Sequence, residues 1–79
     1  MPMVGEHTFV KFVWEYKNLV RIVAYGRLGV PREVIERELR EFVEEVFDRK
    51  PRELICKPVT EERHETLLYA VRYWVEARF

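Results

Sequence analysis

Near its end the chain reads Leu67, Tyr69, Val71, Tyr73, Val75, Ala77 and Phe79 at every second position, all apolar. A helix would scatter these residues around its surface, whereas a strand lines them along one face. The segment Glu65 to Phe79 is therefore predicted as a long strand. One strand cannot bury its own face, so the rest of the chain must supply neighbouring strands and a cover.

Two earlier segments have strand character. Glu6 to Glu15 and Leu19 to Tyr25 are dense in β-branched and aromatic residues. Between them, Tyr16-Lys17-Asn18 is a short connection in which Asn18 is the residue that tolerates positive φ. A hairpin is predicted. Phe9, Phe12 or Val13, Tyr16, Val20 and Val23 also fit helical spacing, but the β-branched and aromatic density decides for strands.

Gly26 to Val30 reads as a loop, and Pro31 fits the first turn of a helix. From Pro31 to Asp48, a stripe of Ile35, Leu39, Phe42, Val43, Val46 and Phe47 recurs at helical spacing. Glu33–Arg37 and Glu36–Arg40 are the i,i+4 pairs expected on its wet face. Pro51 ends the helix. Glu53 to Thr60 reads as a short strand that Pro58 confines to a sheet edge, and Glu61 to His64 as a polar turn. The order β-β-α-β-β implies one α+β domain over residues 1–79. It is expected to be a four-stranded antiparallel sheet with one helix packed on one face.

Composition narrows the function. Lys+Arg and Asp+Glu are both 14, so the formal net charge is zero. That argues against a general nucleic-acid coat, which carries basic excess. Cys56 is the one cysteine, so neither a disulfide nor a zinc framework is expected. The chain has no Ser and no Gln, and a single Asn, beside many Glu and Arg. Such usage resembles that favoured at high temperature, and it excludes a serine nucleophile. No apolar run reaches the length of a bilayer span, and Met1 to His7 lacks a signal-peptide pattern. A cytoplasmic protein is expected.

Sorting strand residues by parity gives each strand one richly apolar side and one mixed side. On the first strand, Thr8, Val10, Phe12, Trp14 and Tyr16 are assigned to the helix-covered face. Phe9, Val13, Val23, Tyr25, Leu68 and Trp74 are assigned to the second face, among Lys11, Arg21, Arg72 and Arg78. An apolar patch of that kind on a small domain indicates association, since aromatics and arginines are enriched at interface centres. The reading is a non-enzymatic self-associating module, a dimer first. The alternative is a nucleic-acid-binding sheet using Lys11, Arg21, Tyr25, Arg72, Trp74 and Arg78, because aromatics interleaved with cations stack and neutralise single strands.

Other constellations are weaker. Glu61, Glu62, His64 and Glu65 are of metal-binding type but match no ligand spacing. Cys56 lacks a visible activating neighbour. Gly26-Arg27-Leu28-Gly29 before a helix lacks the phosphate-loop patterns. No catalytic residues, no metal and no cofactor are expected.

Overall fold

The structure, a computed structural model, describes residues 3–79. It contains β1 (Met3–Val4), β2 (Thr8–Tyr16), β3 (Leu19–Arg27), α1 (Arg32–Phe47), β4 (Glu53–His64) and β5 (Leu68–Arg78). The strands form one antiparallel sheet in the order β1-β2-β3-β5-β4. The α+β class and the single helix agree with the sequence reading. The sheet has five strands rather than four, because Met3 and Val4 pair with Phe9 and Thr8. After β3 the chain passes through α1 to the far edge at β4, then returns in β5 to fill the gap between them.

Two turns differ from expectation. In the first hairpin the positive φ falls on Lys17, at 56°, and not on Asn18. Residues 61–64 are not a turn but the end of β4. The turn is 65–67, and Leu68 leaves it with φ 70°. The alternation of β5 therefore holds from Val71 to Ala77, while Leu67 swings to the opposite face. β4 is an edge strand as Pro58 implied, with an irregularity between Pro58 and Thr60.

The helix lies on the face formed by Val10, Val20, Ile22, Ala24, Cys56, Tyr73, Val75 and Ala77, with Ile35, Leu39 and Val43 fully buried against them. Phe42 and Phe47 pack at its margin, but Val46 is exposed. The ion pairs that form are Arg32–Glu36 at 3.1 Å and Arg37–Glu41 at 3.9 Å, with the arginine first in each. These are not the two expected pairs. The helix ends at Asp48, which takes a left-handed conformation. Just beyond it, Arg49 lies 4.2 Å from the centroid of the Phe79 ring.

Glu38 fastens this helix to the β1–β2 turn. Its carboxylate accepts hydrogen bonds from the backbone N–H groups of Glu6 and His7, each at 3.1 Å, and from the buried Thr8 hydroxyl at 2.7 Å. Gly5 makes room for it: with φ 67°, a Cβ there would sit 2.5 Å from Glu38 Cδ. Glu38→Ala leaves three donors without their acceptor, one of them on a buried residue. The expected loss is about 2–3 kcal/mol, at the scale of charge-assisted bonds in a partly wet site. Urea unfolding measures it. Gly5→Ala is expected to lower stability as well, through both the left-handed backbone and the clash.

Candidate interaction surface

The face of the sheet opposite α1 is shaped by one extra residue. Val10 pairs with Ala24, but Phe12 pairs with Val23, so Lys11 is an unmatched bulge residue. A bulge resets the side-chain alternation. Up to Val10, even-numbered residues of β2 face the helix; beyond it, Val13 does, packed against the main core. Phe12, Trp14 and Tyr16 consequently turn to the open face. This corrects the parity assignment: Val13 belongs to the helix side, and the three aromatics belong to the other.

The open face has two halves. At one end the β4–β5 turn folds over it. Leu67 is buried there with Tyr25 and Ala70, and Met3 and Phe9 pack against them. His64 sits between Phe9 and Tyr25, with both ring centroids 4.7 Å away. Its Nδ1 accepts the backbone N–H groups of Thr66 at 3.1 Å and Leu67 at 3.2 Å, which fixes the turn. A second small core thus covers Phe9 and Tyr25.

The other half is bare. Phe12 is 50% exposed, Trp14 51%, Tyr16 68% and Trp74 48%. Phe12 and Trp14 stack at 5.5 Å. Trp14, Tyr16, Leu19, Arg21 and Trp74 line a shallow groove of about 520 Å³. Val23 is buried between them in the sheet, opposite Phe12 on one side and Trp74 on the other. Charges at the margin are joined to one another: Glu76 meets Arg21 at 3.8 Å and Arg78 at 3.0 Å, and Arg78 reaches Glu53 at 3.6 Å.

Of the six residues assigned to this face from sequence, Phe9, Val23, Tyr25 and Trp74 lie on it, but only Trp74 presents a large exposed surface. Leu68 is exposed beside the turn, away from the groove. Among the cations, Arg21 and Arg78 border the groove. Lys11 lies 5.6 Å from the Phe12 ring centroid. Arg72 is partly buried under the covered half, where its Nε is enclosed without a hydrogen-bond partner among the described residues. Tyr25 is buried and its hydroxyl approaches Glu62 at 3.5 Å, so it offers no ring for stacking.

The acidic segment does not converge. Alternation along β4 sends Glu62 and His64 to one face and Glu61 to the other. Glu62 accepts from the Thr60 hydroxyl at 2.8 Å. No group of three metal-ligating side chains is assembled among the described residues. Cys56 lies beneath α1 on the side of the sheet away from His64. Burial foremost, then the Glu36 carboxylate, pushes its thiol up to about 12, with Arg32 opposing. The thiol is therefore protonated and inert at neutral pH. Native protein at pH 8 is expected to resist a thiol reagent that labels the denatured chain at once, which absorbance measures. Because the folded-state value is raised, this group's contribution is complete below about 9, the ordinary value, and lost as pH rises toward about 12. Among the described residues, no helix is long and apolar enough to cross a membrane.

Comparison with protein-family models, curated proteins and solved structures finds no match for this chain.

Proposed function

We propose that this protein is a non-enzymatic, self-associating module whose second sheet face contacts another copy of the chain, in a dimer. The observation that carries the reading is the group of four half-exposed aromatics, Phe12, Trp14, Tyr16 and Trp74, on the uncovered half of the sheet. Exposed aromatics gathered at one place are the residues that dominate binding energy at protein interfaces. Arg21 and Arg78 at the border are matched by Glu76 and Glu53, which lowers the like-charge repulsion between two copies meeting across a two-fold axis.

Sedimentation velocity across a wide concentration range tests this. A dimer that forms on concentration supports it, and a monomer throughout overturns it. Trp14 and Trp74 are the only tryptophans in the chain, so intrinsic fluorescence reports on this surface alone. A blue shift is expected in step with association.

A second reading is carried by Lys11 and Lys17, which lie 5.6 Å and 5.4 Å from the Phe12 and Tyr16 ring centroids. Cations beside open rings suit a single-stranded nucleic acid. Arg21 and Arg78, engaged with Glu76, favour the protein partner. Retardation of a single-stranded oligonucleotide that weakens steeply with added salt would reverse that preference.

A further inference from the structure

We propose that His64 is a proton-operated latch on the β4–β5 turn. While its Nδ1 carries no proton, the turn stays closed over Phe9 and Tyr25, and a proton there releases it. Such a latch works in a monomer as well as in a dimer.

The turn is held by few contacts, and it includes a strained residue. Residues 65–67 join β4 to β5, and Leu68 leaves the turn with φ 70°. That left-handed conformation is costly for a leucine, whose Cβ crowds the backbone. Leu68 gains no burial in return, for its side chain is exposed. Two features offset the strain. Leu67 is buried in the small core with Tyr25 and Ala70. His64 Nδ1 accepts the N–H groups of Thr66 and Leu67. The second feature secures the first, because one of the amides held is that of the inserted leucine.

An imidazole nitrogen accepts a hydrogen bond only while it carries no proton. In the closed turn Nδ1 is the acceptor, so the ring is neutral with its proton on Nε2. A further proton has to enter at Nδ1, where it meets two N–H donors. Both bonds are then lost, and two backbone donors are left without an acceptor. Turning the ring over does not restore them, since both nitrogens of the charged form are donors. The Phe9 and Tyr25 rings beside it attract a cation. They stand on other strands, however, so that attraction does not require the turn.

The surrounding polar groups do not replace the acceptor. On its own strand, Glu62 is engaged by the Thr60 and Tyr25 hydroxyls, and Arg63 lies 5.8 Å from the Tyr69 ring centroid. Glu65 is exposed in the turn. Arg27 of β3 and Arg72 of β5 share the face by register, and His7 before β2 lies 3.7 Å from Glu6. No carboxylate forms an ion pair with His64 among the described residues. The closed turn therefore selects the neutral ring. It is held at alkaline and neutral pH and loosened as pH falls through the range in which imidazoles charge. Release withdraws Leu67 and uncovers Phe9 and Tyr25, which lie on the same face of the sheet as Phe12, Trp14 and Trp74.

NMR of the whole chain between about pH 8 and about pH 5, the span over which an imidazole changes charge, tests the latch. The Leu67 methyl and Tyr25 ring signals are expected to move together with those of the His64 ring. Protection of the Leu67 amide against hydrogen exchange is expected to fall roughly ten-fold or more. His64→Asn keeps an acceptor, since an asparagine carbonyl bonds a backbone N–H two residues on, and it does not titrate. Its turn is expected to give the same signals at both pH values. His64→Phe keeps a ring between Phe9 and Tyr25 without an acceptor, and its Leu67 amide is expected to be unprotected at both. Wild-type turn signals that stay fixed while the His64 ring titrates overturn the proposal. So does a His64→Asn variant that responds to pH as the wild type does, which assigns the response to Glu62, Glu65 or His7.

Discussion

Ile35→Ala is expected to remove about 2–5 kcal/mol of folding stability, the range for deleting a fully buried branched side chain. A chain of 79 residues holds about 4–12 kcal/mol in total at ordinary stability per residue. The single change therefore takes at least about a sixth of the stability and, at mid-range values, nearly half, and chemical denaturation reads it as a large shift in midpoint with little change in slope. The site also predicts a specific coupling. Ile35 packs over Gly26, where a Cβ would come within 2.9 Å of Ile35 Cδ1, Ile35 Cγ1 and Tyr73 Cε2. Gly26→Ala alone overfills the contact and costs about 1–3 kcal/mol. In the Ile35→Ala background the new methyl enters part of the space vacated. The double variant is then expected to be more stable than the sum of the single losses, by about 1 kcal/mol or more. Strict additivity would mean that Gly26 is not the seat of the helix.

Trp14→Glu is expected to abolish self-association at concentrations where the wild type is dimeric. Trp14 stands on β2, stacked on Phe12 and half-exposed. An interfacial tryptophan of this kind is typically worth about 2–4 kcal/mol, or a 30-fold to 1,000-fold change in dissociation constant. The introduced carboxylate adds the cost of losing its water. Monomer stability is expected to change by about 1 kcal/mol or less, because the residue contributes little to either core. Thermal unfolding at low concentration, where the wild type is also dissociated, separates the two effects. A variant that dimerises as the wild type does would remove the aromatic half of the sheet from the interface.

The strands, the helix and their order were legible because hydrophobic period is a local signal. β5 alternates over residues 71–77, and the Ile35, Leu39 and Val43 stripe of α1 repeats at helical spacing. The helix ion pairs were misassigned because several exposed arginines and glutamates lie within reach of one another, and small rotamer preferences choose between them. β1 is two residues long, too short for any periodic signal, and it exists because β2 has an open edge and Glu38 holds the adjoining turn. The aromatic patch was misplaced by the bulge at Lys11. A trace of it is present in the sequence: Phe9-Val10 and Phe12-Val13 repeat at a spacing of three, which period-two alternation cannot carry without one unmatched residue.

By itself, then, the sequence determined that this chain makes a two-sided sheet with one amphipathic helix, because burial of alternating and helical apolar sets leaves no other economical assembly. Which aromatics face water was decided only by the tertiary structure. The bulge between Val10 and Phe12 reverses the faces of β2, and the β4–β5 turn folds back over Phe9 and Tyr25. The first is settled by the pairing of β2 with its neighbour β3, of which the sequence holds only a trace; the second depends on residues far apart in the chain, and a local pattern carries no record of which of two faces a distant segment will cover.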